Sequence, residues 1–247
     1  MVTKAEIQKV RSLADKRGRD EHGLFVAEGE KIIRELCASH LRVRNLYALD
    51  GVMEDLEGVC RVSTKEMERL SMLKTANNSL AVVEIPHYGF DLTSARRNLV
   101  LALDDIGNPG NVGTLIRLAD WFGIGDVICS PSTADCFNPK VVQATMGAII
   151  RVRVHYLDLA PTLRRAADEG IGVYGTFLDG DNIYDAKLGG SGIIVMGNEG
   201  RGISAEVAAA VTHKLLIPPF PPEHRGSESL NVSTAAAVVC SEFRRRG

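Results

Sequence analysis

No two cysteines in this chain form a Cys-x-x-Cys pair, and the five present (Cys37, Cys60, Cys129, Cys136 and Cys240) are an odd number. They are expected to be small buried apolar residues in a reducing compartment rather than a disulfide framework. The six histidines show no metal-ligand spacing, so no metal is expected. There is no apolar run long enough to span a membrane. The N-terminal Met1-Val-Thr-Lys-Ala-Glu6 lacks the apolar core of a signal peptide, and Glu6 and Asp15 argue against an organelle transit peptide. A cytoplasmic protein with no membrane partner is expected. Aromatic residues are few and the net charge is only −2, so composition does not advertise nucleic-acid binding, and any such site must be a local patch. Repeats and low-complexity segments are absent as well.

What is present is an alternation of helical and extended patterns. From residue 4 to about residue 18, Ile7, Val10, Leu13 and Ala14 recur at helical spacing. Among them stand Lys9, Arg11, Lys16 and Arg17, which form either a solvated helix face or a strip that contacts phosphates. Strands are expected at 24–27, 43–49, 59–62 and 80–85, with helices at 28–36 and at 64–73 after a Ser63 cap. Together these make a small α/β domain over residues 1–90. Pro86, Gly89 and the charged residues that follow break the periodicity, and the linker is placed at 91–98. The alternation restarts at 99. Leu99-Val-Leu-Ala-Leu-Asp104 and Ser191-Gly-Ile-Ile-Val-Met196 read as strands buried on both faces, and the intervening β and α patterns imply an open, mostly parallel sheet over residues 99–247.

Three stretches of this second domain carry candidate chemistry. In Asp104-Asp-Ile-Gly-Asn-Pro-Gly-Asn-Val-Gly-Thr-Leu-Ile-Arg117, a strand gives way to a glycine-rich turn and a helix, but the glycines do not keep the Gly-x-Gly-x-x-Gly spacing of a dinucleotide loop. Arg117 lies almost two turns into that helix. Helical side chains lean toward the N-terminus, so its guanidinium is expected to reach the helix mouth beside Asn111, where the pair could grip a phosphate or ribose. Glu199, in Met196-Gly-Asn-Glu-Gly-Arg-Gly202, follows a buried strand at the end where open α/β sheets bind ligands; the plainer alternative is a turn with a solvated carboxylate. Finally, Lys214-Leu-Leu-Ile-Pro-Pro219 and a proline-rich bend (Pro221, Pro222, Arg225, Gly226) lead to a helix start crowded by Ser227, Ser229 and Asn231. One of the three is needed as a cap. Ala235, Ala236 and Ala237 are small enough for that helix to lie close against a neighbour.

Asn111-Val-Gly-Thr-Leu-Ile-Arg117, Gly197-Asn-Glu-Gly-Arg-Gly202 and Ile217-Pro-Pro with Ser229-Leu-Asn-Val-Ser233 resemble, in this order, the three motifs of the SpoU (TrmH-type) RNA 2′-O-ribose methyltransferases of the SPOUT superfamily. Pro219 stands where the third motif usually has methionine. The segment from Gly23 to Lys31 resembles the small RNA-substrate-binding domain that precedes the catalytic domain in many members. The resemblance implies S-adenosylmethionine as methyl donor, a C-terminal trefoil knot, structured RNA (ribosomal or transfer) as substrate, and a homodimer whose active site borrows from both subunits. By motif position it implies Asn111, Arg117, Glu199, Ser229 and Asn231 as catalytic residues. It also implies that Met196, Gly197, Ile217, Pro218 and Leu230 form the cofactor cradle. A non-catalytic RNA-binding protein on the same scaffold is the alternative from another class.

Overall fold

The computed structural model describes residues 2–221 and 229–246, so Pro222, Arg225, Gly226 and Ser227 of the bend and helix mouth lie outside the described residues. The chain forms two units, one of Met1–His87 with Asp135–Ile150, the other of Tyr88–Ala134 with Arg151–Gly247.

In the first unit, the helical pattern expected over 4–18 is two helices, α1 (Lys4–Ser12) and α2 (Lys16–His22). The break has a physical cause. Gly18 lets α2 fold back so closely that a Cβ there would stand 2.1 Å from the Ser12 carbonyl oxygen. The carbonyls freed at Leu13 and Ala14 accept hydrogen bonds from Arg19 Nη1 at 2.8 and 2.9 Å. Next come β1 (Leu24–Glu28), α3 (Glu30–Cys37), β2 (Val43–Ala48), β3 (Val59–Arg61), α4 (Thr64–Leu70) and β4 (Ser79–Glu84). The sheet order is β1-β4-β2-β3, antiparallel except for the β2/β3 pair. Thr3 and Ser63 close capping boxes with Glu6 and Glu66, which fixes where α1 and α4 begin. Residues 135–150 belong to this unit: the Phe137 ring lies 4.9 Å from that of Phe25, and Asp135 takes an ion pair from the buried Arg19 at 2.6 Å.

The second unit holds β5 (Leu99–Leu103), α5 (Pro109–Trp121) and β6 (Asp126–Cys129); α6 (Pro139–Ala144) follows in sequence but lies in the first unit. Then come β7 (Arg153–Tyr156), α7 (Leu159–Asp168), β8 (Val173–Asn182), β9 (Gly192–Met196), α8 (Ala205–Ala208), β10 (His213–Leu216) and α9 (Val232–Arg246). Its six strands run in the order β10-β8-β9-β5-β6-β7, every pair parallel. The apolar runs at 99–103 and 192–196 are the two central strands, buried at every residue. Leu92 and Ala95, on a short 3-10 turn from Leu92 to Arg96, are buried in the core of this unit. From β5 the chain proceeds to β6 and β7 on one side, then crosses to build β8, β9 and β10 on the other. The strand order therefore reverses between β5 and β9, and the loops leaving their C-terminal ends splay apart into a crevice.

Two cysteines depart from expectation. Cys129, Cys136 and Cys240 are buried, but Cys37 and Cys60 are exposed. Cys60 is the outward-facing middle residue of the short edge strand β3, and Cys37 ends α3. No described helix is long and apolar enough to cross a membrane.

Candidate active site

The crevice between β5 and β9 collects the three motif loops. After β5, Asn108 N-caps α5, its Oδ1 accepting from the N–H of Gly110 at 2.8 Å and of Asn111 at 3.4 Å, with Pro109 in the first turn where a missing N–H costs nothing. Asn111 is thereby held at the third helical position. At the start of α9, Asn231 is the cap among the three polar candidates: its Oδ1 accepts from the N–H of Ser233 at 2.9 Å and of Thr234 at 3.4 Å. The two helices run side by side in the same direction. Their N-terminal ends are tied by Asn231 Nδ2 donating to Asn111 Oδ1 at 3.2 Å and Ser233 Oγ donating to the Asn111 carbonyl at 3.4 Å. Their C-terminal ends are tied by Arg244 Nε donating to the Phe122 carbonyl at 2.7 Å.

Asn111 Nδ2 donates to Glu199 Oε1 at 2.5 Å. With its oxygen accepting from Asn231 and its nitrogen donating to a carboxylate, which can only accept, the Asn111 amide has one permitted orientation. Glu199, Asn111 and Asn231 thus form one hydrogen-bonded row across three segments far apart in sequence. Two helix N-termini flank the row, and their partial positive charge favours the Glu199 carboxylate there. Its second oxygen has no hydrogen-bond partner among the described residues.

The turn that carries Glu199 is built to a tight tolerance. Asn198 and Gly202 close it with paired backbone hydrogen bonds of 3.0 and 2.8 Å, and Asn198 Oδ1 accepts from the N–H of Gly200 and Arg201. Gly197 at its base allows a backbone approach that no other residue would: a Cβ there would stand 2.3 Å from Gly202 C and from Ile203 N. The strand end and the close of the turn therefore lie in direct backbone contact. The N–H groups of Ile217 and Leu230 are unspent on protein acceptors among the described residues. Backbone donors left free in this way suit the edge of a neutral nucleoside, such as the adenosine end of an S-adenosylmethionine-like cofactor. Pro218 and Pro219 supply no N–H and stiffen the segment that carries Ile217. Met196 is buried within β9 and its carbonyl already accepts from the Asp104 N–H at 2.9 Å, so what it contributes is the strand end from which Gly197 starts.

Other expected site residues stand apart from this row. Ser229 is exposed in a bend with no partner among the described residues. Arg117 is exposed on α5 and makes no hydrogen bond or ion pair among the described residues. Its expected reach to Asn111 is not seen, for a geometric reason: six residues of helix are about 9 Å of rise and roughly 240° of rotation, so the two side chains leave α5 on different faces. Of the four basic residues on the first two helices, Lys9 and Arg17 are exposed, Lys16 is paired with Asp20 at 2.9 Å, and Arg11 donates to the Ser71 carbonyl. They lie on two helices rather than along one strip.

Residues that sequence reasoning passed over complete the crevice. Asn198 Nδ2 donates to the Asp105 carbonyl at 2.8 Å, Arg201 pairs with the Asp105 carboxylate, and Asp104 Oδ2 accepts from the Ser204 N–H at 2.7 Å. The available signal was the Asp104-Asp105 doublet directly after a wholly apolar strand, a poor place for two carboxylates unless they face a site.

Residues 98–241 match the SpoU rRNA Methylase family, and residues 4–81 match the MRM3-like substrate binding domain. Over 252 residues, covering 98% of each chain, the protein is 31% identical to the 23S rRNA (guanosine(2553)-2′-O)-methyltransferase RlmP of Bacillus subtilis (strain 168). A solved structure of a TrmH-family protein from Porphyromonas gingivalis superposes with a TM-score of 0.89 at 38% identity, covering 100% of both chains. The SpoU methyltransferase AviRb from Streptomyces viridochromogenes, solved with AdoMet, shares the fold with a TM-score of 0.85 at 24% identity, covering 99% of this chain and 98% of that one.

Proposed function

The chain belongs to the SpoU rRNA methylase family, and from that premise we propose that it transfers a methyl group from S-adenosylmethionine to a ribose 2′-hydroxyl in structured RNA, ribosomal or transfer. The observation that carries this reading is the Glu199–Asn111–Asn231 row, which joins all three motif segments at the C-terminal ends of β5 and β9. Bound S-adenosylmethionine supplies an already activated sulfonium methyl group. What remains for the protein is alignment with the hydroxyl oxygen and disposal of one weakly acidic proton. The backbone of Gly197, Ile217 and Leu230 holds the cofactor, and the free oxygen of Glu199 accepts from the ribose hydroxyl and fixes its direction. Arg117 grips an RNA phosphate with its planar fork, and the hydroxyl proton leaves by way of Glu199 to phosphate or water.

The active enzyme is a homodimer in this reading. Trp121 is 84% exposed one turn beyond Arg117 on α5, and Ala235, Ala237 and Val238 on the neighbouring α9 are only half-buried. An aromatic left open beside small residues on adjacent helices suits a self-complementary contact. Such a pairing delivers Arg117 of one copy to the Asn111 row of the other. The trefoil knot implied by the resemblance involves the segment from β9 to α9. Residues 1–90 serve as the RNA-binding domain, with Lys9 and Arg17 free for phosphates and Lys16 available once its exposed pair with Asp20 is exchanged. The compartment is the cytoplasm.

Incubating the purified protein and methyl-labelled cofactor with total RNA from a strain lacking the gene tests the proposal. Label should appear in one ribose, marked by resistance of the adjoining phosphodiester to alkaline cleavage. Tight RNA binding without transfer would establish the non-catalytic alternative.

A further inference from the structure

Beside the Glu199 row lies a cleft of about 340 Å³ lined by Asp104, Asp105, Ser132, Arg201, Gly202 and Ser204. We propose that it reads the base of the target nucleotide and that its pattern of donors and acceptors selects guanine. The inference rests on the methyltransfer reading above and adds the identity of the base.

The cleft and the row are built on neighbouring parts of the same segments. Glu199 and Arg201 sit on one turn closed by Asn198 and Gly202, while Asp105 lies in the loop after β5 that leads into the first turn of α5, where Asn111 stands. A nucleoside with its ribose at Glu199 therefore has this cleft within reach of its base.

Counting hydroxyl protons shows what the cleft offers. Thr133 Oγ1 spends its proton on the Leu103 carbonyl at 3.0 Å. In the 3.1 Å contact between Ser130 and Thr133, Ser130 must therefore be the donor. Ser130 has then spent its own proton, so in its 3.1 Å contact with Ser132 the donor is Ser132. Ser130 has no acceptor capacity left over, because it also takes the Asp105 N–H at 2.8 Å. Ser132 consequently turns only lone pairs toward the cleft. Asp104 is 4% exposed and Asp105 half-buried; each has one carboxylate oxygen committed, Asp104 Oδ2 to the Ser204 N–H and Asp105 Oδ2 to Asn198 and Arg201, with its Oδ1 unspent among the described residues. Arg201, largely exposed, retains guanidinium N–H groups beyond the one on Asp105.

Two carboxylates against one guanidinium repel a phosphate. They call for a ligand edge with adjacent donors and an acceptor beside them. Guanine has that edge: N1–H and the N2 amino group face carboxylate and Ser132 oxygens, and O6 faces Arg201. Adenine and cytosine each place a ring acceptor next to their one amino group, and uracil flanks its single N–H with two carbonyls, so each leaves a buried acceptor unpaired or opposed by a lone pair.

The test uses the full-length protein, methyl-labelled S-adenosylmethionine and RNA from the strain lacking the gene. Digestion to nucleosides should give 2′-O-methylguanosine; another methylated nucleoside overturns the proposal while leaving the methyltransferase reading intact, and absence of any transfer removes both. A transcript of the mapped target with inosine at the methylated position lacks the N2 amino group, and its kcat/KM should fall roughly ten- to a hundredfold. Asp105 has φ 58°, a left-handed conformation that asparagine also accepts, so Asp105→Asn should fold normally. That variant should shrink the guanosine-over-inosine preference to about threefold or less, at unchanged cofactor affinity. A preference retained in Asp105→Asn, or a loss of cofactor affinity as large as the loss in transfer, refutes base reading by this cleft. Ser132→Ala, which removes one acceptor without touching a charge, should move the preference in the same direction; no movement in either variant is likewise a refutation.

Discussion

Asn111→Asp changes one nitrogen to an oxygen in the middle of the row and keeps its shape. Asn231 Nδ2 can still donate to the new side chain, so the tie between α5 and α9 survives. What is lost is the donor to Glu199, replaced by a second carboxylate where the amide stood 2.5 Å from Oε1. Removing a hydrogen bond to a charged group costs about 1.5–3 kcal/mol. Two unit charges about 4 Å apart repel by roughly 4 kcal/mol at an effective dielectric near 20, and the exposure of Glu199 screens this to the order of 1 kcal/mol. Together these predict a loss of about a hundredfold or more in methyl transfer near pH 8. Two carboxylates so placed share a proton when pH falls, and the shared proton restores a donor between them. Transfer by Asn111→Asp should therefore recover toward pH 6, relative to wild type at the same pH. Asn111→Ala removes the donor without adding a charge and should lose about ten- to a hundredfold evenly across that range. Single-turnover methylation at saturating cofactor between pH 5.5 and 8 is the measurement. If Asn111→Asp stays within threefold of wild type at pH 8, or if the two variants share one pH profile, the row does not work as described.

Other substitutions probe separate parts of the molecule. Gly197→Ala drives a Cβ into backbone atoms 2.3 Å away that cannot step aside cheaply, so calorimetry should show cofactor binding weakened by at least tenfold, where a tolerant turn would show no change. Arg117→Ala should abolish transfer at near-normal cofactor affinity, with little rescue by lysine because a point charge does not reproduce a planar fork; turnover near wild type would remove Arg117 from the mechanism. Asp126 should set part of the acid stability. Burial alone would push its carboxyl up, but hydrogen bonds from His155 at 2.9 Å and from Arg153 at 2.8 and 2.7 Å overcome this and hold it down from 3.8 to about 2. A depressed folded-state value contributes stability that is complete above pH 4 and lost as pH falls toward 2, on the order of 2 kcal/mol. Urea midpoints at pH 6 and pH 3 should fall further apart in wild type than in Asp126→Asn, and equal spacing would refute the linkage.

Much of the fold was open to sequence reading because the signals are local. The apolar runs of β5 and β9 announce burial on both faces by themselves, and Ser63 with Glu66 marks the start of α4 within four residues. Elements that depend on distant partners were not open to it. The pattern Ile7, Val10, Leu13 stays in helical phase up to the end of α1, and the carbonyls freed there are satisfied by an arginine whose own charge is met by Asp135, 116 residues away. Strand β8 runs through Leu-Asp-Gly-Asp-Asn182, a polar stretch with a glycine that has no strand pattern of its own. It continues to Asn182 because β10 lies alongside, with a register shift between Lys214 and Leu215 and with Gly180 so close that a Cβ would stand 2.6 Å from the Leu215 carbonyl carbon.

The site divides in the same way. Asn111, Glu199 and Asn231, far apart in sequence, meet in one hydrogen-bonded row, since each follows a strand or opens a helix at one end of one sheet. Motif order did not supply Asp105 and Arg201, whose pairing spans 96 residues and rests on an Asn198 side chain that looks, in sequence, like ordinary turn chemistry. Arg117 is the instructive member of the set. A side chain leaning toward the helix N-terminus covers about one turn, not the 9 Å of rise that separate Arg117 from Asn111 on α5. Had both served one pocket in one chain, a spacing of three or four residues would have placed them on one face. A spacing of six sends Asn111 into its own crevice and Arg117 outward, beside the exposed Trp121. That is the spacing required if each chain completes its neighbour's site, and it makes Trp121 the residue on which activity and dimerisation should fail together. Trp121→Glu should yield folded monomer by light scattering at micromolar concentration, with cofactor affinity nearly intact and methyl transfer lost. A monomer that still methylates RNA would show that Arg117 is not needed across the interface.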